Sequence, residues 1–516
     1  MVDTLKCGQI SSVILGARLS LEEFVAVARN HAQVTFSPEY CERVNAGRKI
    51  VEQWVAENRV VYGTTTGFGQ LCNKVISQEE TETLQEYLIL SDCCSVGEPL
   101  PEEQVRAIML MVLQNVGQGC AGCRLEVLEY YRSFLNLGLT PFVPGDGSVG
   151  YLSVEANIAY VLLGGGKAYW KGELLEGAEA LAKAGLTPIR LSSKEGLCLI
   201  SGTTSSTGLA ALALYDMLQA AKAADIIGAL TLEALKGLIA AFDPRVMAVR
   251  RHQHQQDTAE NVRRILADSQ VIEEAKGSRL QDALSLRCIP QLHGAAKNLL
   301  DLARKTVENE INSCCDNPIL WTDGVRSEAL SACNSDSSYV GMVMDSCAIA
   351  ATGIAKMSER RNNRLIDQNL SGYPWFLTRN PGLNCGLMLP QYVQAGLLND
   401  MRTLSFPATV DCIPTCGNQE DYVAMGYNAC KKATELSEKL EYILAAELLS
   451  AYQAQGFMGT STARSSVSKA VYREIGEQIP VIEDDVYLTP YLEYLRELIH
   501  SGRLIQLAEE IIGGLK

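Results

Sequence analysis

Along most of the chain apolar residues recur every three to four positions, the spacing of helices that bury one face. Ser20 opens a Ser-Leu-Glu-Glu run in which Glu23 completes a capping box ahead of Phe24-Val25-Ala26-Val27, which predicts a helix start. A second helix is expected to run to about Glu57, with Ser37 as its cap and Pro38 in its first turn. Further helical patterns cover Gln78 to Leu90, Glu102 to Val116, Asn261 to Glu274, His293 to Asn312, Tyr339 to Asn363, Leu387 to Leu404, Gly426 to Ala454 and Pro490 to Ile512. The run from Thr207 to Phe242 is almost all Ala, Leu and Ile with sparse charge. As one helix it would span on the order of 50 Å and lie in a core or an oligomer interface. Strand patterns are few and short, the clearest at Lys167 to Leu174.

Two loops interrupt the helices. Tyr62-Gly63-Thr64-Thr65-Thr66-Gly67-Phe68-Gly69 is a glycine-rich loop with a tyrosine at its entrance. Val143 to Tyr160 places Gly145, Gly147 and Gly150 around Ser148 and Val149, then enters a helical pattern at Val154 and Ile158. The expected architecture is mainly α, a long central helical bundle with a smaller N-terminal part: 1–200 carries both loops, and 201–516 forms the bundle and the C-terminal helices.

Composition narrows the function. The 516 residues carry a net charge of -15, which argues against a nucleic-acid partner. Met1 to Val13 lacks a basic region followed by an apolar core, and uninterrupted apolar runs of membrane-spanning length are missing. Those features predict a cytoplasmic protein without a membrane partner. The 17 cysteines are scattered or adjacent rather than framed as a disulfide scaffold, which suits reduced thiols. Cys120 and Cys123 make one Cys-x-x-Cys, and His252 and His254 one neighbouring pair; neither has the partners a metal site needs, so no metal is expected.

Gly147-Ser148-Val149-Gly150 resembles the start of the signature loop of the aromatic amino acid ammonia-lyases, the histidine ammonia-lyase family. The resemblance implies a fold of the histidine ammonia-lyase/fumarase-like type and a homotetramer with active sites shared between subunits. In the family the next three residues, Ala-Ser-Gly, cyclise to a methylidene-imidazolone electrophile that captures the substrate amine. Here they are Tyr151-Leu152-Ser153. The methylene comes from dehydrating the central serine, and Leu152 has no hydroxyl to lose, so no prosthetic group is expected.

Further blocks carry the resemblance. Tyr62 to Gly69 is similar to the loop whose tyrosine removes the β-proton, which implies Tyr62 as base. Gln281 to Gln291 resembles the block whose arginine clamps the substrate carboxylate, here Arg287, although Leu284 replaces a tyrosine. Glu195 to Thr203 is similar to the loop whose asparagine supports the electrophile, here Ser201, and Asp92 replaces a ring-contacting histidine. Asn334 matches an asparagine followed in the family by Phe-His but here by Ser335 and Asp336. Met388 and Glu420 look like the histidine-specific pair and favour an imidazole-type ring.

Loss of the electrophile with retention of Tyr62, Arg287 and Glu420 suggests a zwitterionic substrate whose nitrogen is already primed to leave. A trimethylammonium group departs as a neutral amine without covalent activation. The expectation is therefore an ergothionase-like lyase that eliminates trimethylamine from a histidine betaine, ergothioneine giving thiourocanate. Tyr151 and Asp92 would face the cation in that reading. The alternatives are a histidine or aromatic amino acid ammonia-lyase, an aminomutase-like enzyme, or an inactive ligand-binding relative.

Overall fold

The computed structural model describes residues 7–71, 73–74, 76–77, 80–458 and 463–516. The chain is mainly helical and divides into two compact units, each built from three stretches: Met1–Tyr215, Ala303–Asp345 and Pro407–Lys432 in the first, Asp216–Leu302, Ser346–Phe406 and Ala433–Lys516 in the second.

Local signals place many of the helices. Both bonds of the Ser20/Glu23 capping box form ahead of Leu21–Arg29. Ser37 accepts the Tyr40 amide and Pro38 opens Pro38–Ala56. Glu102–Val116 and Gly426–Ala454 have the expected ends, and Met388–Leu404 begins one residue late. The helix expected from Gln78 is Thr81–Asp92; Gln78 itself lies outside the described residues.

Three long patterns break where backbone chemistry outweighs periodicity. The apolar run forms Thr204–Ala234, stops where Lys236 takes a left-handed φ of 51°, and resumes only as the short turn Ile239–Phe242. Asn261 to Glu274 is divided between Gln253–Ile265 and Gln270–Glu274, because Ser269 caps the second helix through the Ile272 amide. Pro490 to Ile512 is divided into Thr489–His500 and Arg503–Ile512 at Gly502, φ 73°. Lys167 to Leu174 is a hairpin, Lys167–Trp170 against Glu173–Glu176. Its two-residue turn puts Lys171 and Gly172 at φ 50° and 83°, matching the strand twist.

In the first unit Leu21–Arg29 and Leu125–Leu137 pack on Glu102–Val116. Arg106 is fully buried at the meeting point and donates to the carbonyls of Val27, Ala28 and Leu135 at 2.8–2.9 Å, satisfying helix-end acceptors that no intrahelical N–H reaches. Thr81–Asp92, Ser153–Leu162 and Glu195–Ile200 pack on one another and carry three of the expected site residues at or beside their ends.

The second unit buries charge in pairs. Arg361 donates to both oxygens of Glu447 at 2.6 and 2.8 Å, and Asp225 accepts from Lys297 and lies 2.8 Å from His293 Nδ1. Pairing of this kind is what lets full-length charged side chains sit in an apolar bundle. Among the described residues two helical stretches, Glu195–Ala234 and Ser338–Ile366, are long and apolar enough to cross a membrane, because averaging tolerates the few charges that interrupt an apolar run. The apolar window of the first is 100% buried inside the fold, as in a core helix.

Candidate active site

The first unit gathers Tyr62, Asp92, Tyr151, Ser201 and Glu420 around the signature loop. The Tyr62 loop is tied to its neighbours by Gln85, whose Nε2 donates to the Gly63 carbonyl at 3.3 Å while its Oε1 accepts from the Leu197 amide at 3.2 Å. Gly63 sits at φ 64°, and a Cβ there would lie 2.4 Å from Leu197 Cδ2, so the close approach requires glycine. The Tyr62 Oη accepts from the Gly69 amide at 3.1 Å, and its ring meets Phe68 edge to face. Gly69 in turn abuts Cys416, next to Thr415, whose hydroxyl donates to Glu420 Oε2 at 2.6 Å.

Glu420 is the centre of the group. The Tyr151 phenol feels its charge, and burial first, then the Glu420 carboxylate, hold the phenol well above the usual tyrosine range, with Cys333 and Asp336 adding to the effect. Asp92, at the end of Thr81–Asp92, is raised from the ordinary carboxylate value by burial; a bond from Ser91 opposes this and the Glu420 charge adds to it. Because the folded value is raised, Asp92 favours the folded state at low pH and loses that contribution as pH rises from the ordinary 3.8 through the raised value. Asp92→Asn is therefore expected to leave the urea midpoint unchanged below that window and to raise it at neutral pH. A midpoint lowered at neutral pH would show that the Asp92 charge has a favourable partner instead.

Leu152 stands at φ 76°, ψ -78°, and the Ser153 amide donates to the Tyr151 carbonyl at 3.2 Å. This is a γ-turn, strained for a residue with a side chain by about 1–3 kcal/mol. It is held by the Leu152 amide on the Ile200 carbonyl at 3.1 Å and by the Ala156 amide on the Leu152 carbonyl at 2.8 Å. The turn brings the nitrogen of the third residue against the carbonyl of the first, the approach that ring closure requires. The residues nevertheless do not fit the family's electrophile, since the middle side chain carries no hydroxyl to eliminate. Ser201, beside this turn, accepts the Asn317 amide on its Oγ at 3.2 Å and the Asn115 side-chain amide on its carbonyl at 3.3 Å.

Asn334 is exposed in the turn before Ser338–Ile366. Arg287 and Met388 belong to the second unit. Arg287 is half-buried with its Nε on the Asp282 carbonyl at 3.0 Å, and Met388 opens Met388–Leu404.

Two carboxylates join the group unanticipated. Glu310 accepts from Thr203 Oγ1 at 2.6 Å, and burial raises its proton affinity, Asp336 adding to the rise against the Thr203 bond. Asp336 also accepts the Ser338 amide at 3.0 Å. Both lie in family-like blocks of the sequence, but nothing in their spacing shows that they approach Thr203 or Tyr151. The metal-spaced group among the described residues, Asp216, Glu441 and His500, lies in the second unit, where Arg496 already donates to Glu441 at 3.0 Å.

A mainly helical fold that sets the Tyr62 loop, a tight glycine-flanked turn and Glu420 in one unit agrees with the aromatic amino acid lyases. The chain belongs to that family, whose model, aromatic amino acid lyase, matches residues 19–477. A protein named histidine ammonia-lyase from Symbiobacterium thermophilum is 43% identical over 98% of this chain and 100% of its own. The structure of histidine ammonia-lyase from Trypanosoma cruzi overlays with a TM-score of 0.90 at 31% identity, covering 97% of this chain and 96% of that one. Ergothionase from Treponema denticola, in complex with desmethyl-ergothioneine sulfonic acid, overlays with a TM-score of 0.88 at 29% identity, covering 96% and 99%.

These relatives overturn the expectation of trimethylamine elimination from a betaine. Proteins at 40–43% identity over nearly the whole chain are named histidine ammonia-lyase, whereas the ergothionase stands at 29%. The betaine reading inferred the leaving group from the altered signature loop, the changes at Ser201, Leu284 and Asp92, and the retention of Tyr62, Arg287 and Glu420; the likeness across the rest of the chain points to the ammonia-lyases.

Proposed function

We propose that the protein is a carbon–nitrogen lyase of the histidine ammonia-lyase type, acting on a zwitterionic α-amino acid with an imidazole ring. The 43% identity to a protein named histidine ammonia-lyase carries this reading. The gathering of Tyr62, Asp92, Tyr151 and Glu420 supports it. Tyr62 takes the β-proton, the carbon–carbon double bond forms, and the nitrogen departs with the electrons of the carbon–nitrogen bond. Glu420 accepts the ring N–H, with Asp92 and Tyr151 beside it, while Ser201 and Asn334 border the amine. The family resemblance gives Arg287 a guanidinium fork suited to a substrate carboxylate, and Met388 a side chain suited to an apolar ring contact. The reading includes a cytoplasmic homotetramer with active sites shared between subunits.

Leu152 favours a second reading, ligand binding without turnover, because the family's means of priming a primary amine cannot form from Tyr151-Leu152-Ser153. Incubation with histidine separates the two. A growing near-ultraviolet acrylate band establishes the lyase. Calorimetric binding with no band establishes the second reading, and neither binding nor a band overturns both.

A further inference from the structure

We propose that Asp216, Glu441 and His500 form a site for a divalent cation of the zinc type, which ties three helical segments of the second unit together. The residues come from Thr204–Ala234, Gly426–Ala454 and Thr489–His500, and all three belong to that unit. One ligand atom of each lies within 4.8 Å of the other two. His500 Nδ1 stands 2.9 Å from Glu441 Oε1 and 4.0 Å from Asp216 Oδ1. Ligand atoms held about 2.1 Å from a tetrahedral zinc ion are roughly 3.4 Å apart. The two separations lie to either side of that value, so small side-chain rotations bring the three atoms onto one ion.

Charge and burial favour a cation here. Asp216 and Glu441 are buried, and two like charges brought together away from water repel. Arg496 donates from Nε to Glu441 Oε2 at 3.0 Å, the oxygen other than the one His500 meets, and its Nη2 lies 3.8 Å from Glu438. In the ion pairs that join these residues, three carboxylates stand against one guanidinium once His500 is neutral, as a ligand must be. The excess of two negative charges is what a divalent cation cancels.

The donor chemistry agrees. A carboxylate has several lone pairs, so the Arg496 bond leaves Glu441 Oε1 able to ligate while it fixes the group from behind, as metal ligands are commonly fixed. One imidazole nitrogen and two carboxylate oxygens are donors that zinc accepts, with a fourth position for water. The His500 side chain is 21% exposed, which gives the ion an approach from solvent. Bound only by the folded arrangement, the cation stabilises the second unit by mass action.

Titration of the full-length protein with Co²⁺ alone tests this. The expected result is a visible d–d band that saturates at one ion per chain, without the near-ultraviolet band that ligation by any of the 17 cysteines would add, and a thermal midpoint that climbs with Co²⁺ concentration. His500→Gln and Asp216→Asn should remove the band, and Arg496→Gln should weaken binding roughly ten- to hundredfold. In crystals soaked with zinc chloride, anomalous scattering should place one ion between His500 Nδ1 and the two carboxylates. A band unchanged in His500→Gln, a thiolate band alone, no band, or no zinc peak at these residues overturns the site. The wild-type spectrum and the soaked crystal decide this whether or not the variants fold, and neither requires turnover.

Discussion

Replacing Tyr62 with phenylalanine is expected to lower kcat for elimination by roughly 10²–10⁴ while KM changes little. The substitution removes only the oxygen. The ring keeps its edge contact with Phe68, and the Gly63 and Gln85 bonds that seat the loop are backbone or neighbouring side-chain bonds that do not involve the phenol. The Gly69 amide loses its acceptor at 3.1 Å, and water can replace that acceptor because Gly69 is only half-buried. A proton-transfer role predicts that kcat and kcat/KM fall together, since the lost interaction exists in the transition state and not in the ground state. Initial rates of acrylate formation from histidine measure this, with the thermal midpoint as a control for folding. Full activity in Tyr62→Phe would remove the assigned base.

The second large effect is on stability. Asp316→Asn is expected to cost about 3–5 kcal/mol, because it leaves the Lys194 ammonium buried without a counter-charge. Both side chains have no exposure and stand 2.5 Å apart. Lys194 is held there in a left-handed backbone, φ 68°, at the start of Glu195–Ile200, so it cannot withdraw toward solvent without disturbing the helix. Burial pulls the Lys194 proton affinity down, but the Asp316 charge, the Cys198 thiol, the bond to Asp316 and the Cys314 thiol together outweigh it, and the folded value is raised. A raised lysine contributes stability at every pH below the ordinary lysine range and loses it only as pH climbs through the raised value. In the variant burial is left to lower the Lys194 value, so the deficit should be greatest at low pH and shrink as pH climbs toward the ordinary lysine range. Urea unfolding at several pH values checks both the magnitude and that trend. A cost under about 1 kcal/mol would mean that water reaches the pair. The double substitution Lys194→Met with Asp316→Leu should recover much of the loss, since it removes both charges together.

Much of the helical frame was legible in the chain because its signals are local. A capping serine followed by glutamate, a proline in a first turn and a three-to-four residue apolar spacing act within a few residues. Where those signals were followed through the apolar run to Phe242, or through Pro490 to Ile512, they overran. There the stop lay in the backbone of one residue, Lys236 or Gly502, and not in the hydrophobic pattern. The site was legible only as separate blocks. Glu310 and Asp336 sit in blocks that the sequence displays, yet their approach to Thr203 and Tyr151 joins positions more than a hundred residues apart. Inferring a betaine from a few altered site positions failed because it weighed them against the likeness of a whole chain.

By itself the sequence determined that this protein would be a helical lyase relative and that position 152 could not supply a methylene. The helices follow from periodicity, the lyase kinship from the resemblance of the motif blocks, and the block at 152 is covalent chemistry that no fold can alter. Only the tertiary structure decided that Leu152 would still be held in the strained turn of a cyclising loop. Only it decided that Tyr151 and Asp92 would feel the Glu420 charge and that Lys194 would be buried against Asp316. Each of these depends on packing that joins distant segments and excludes water, and such packing has no period along the chain.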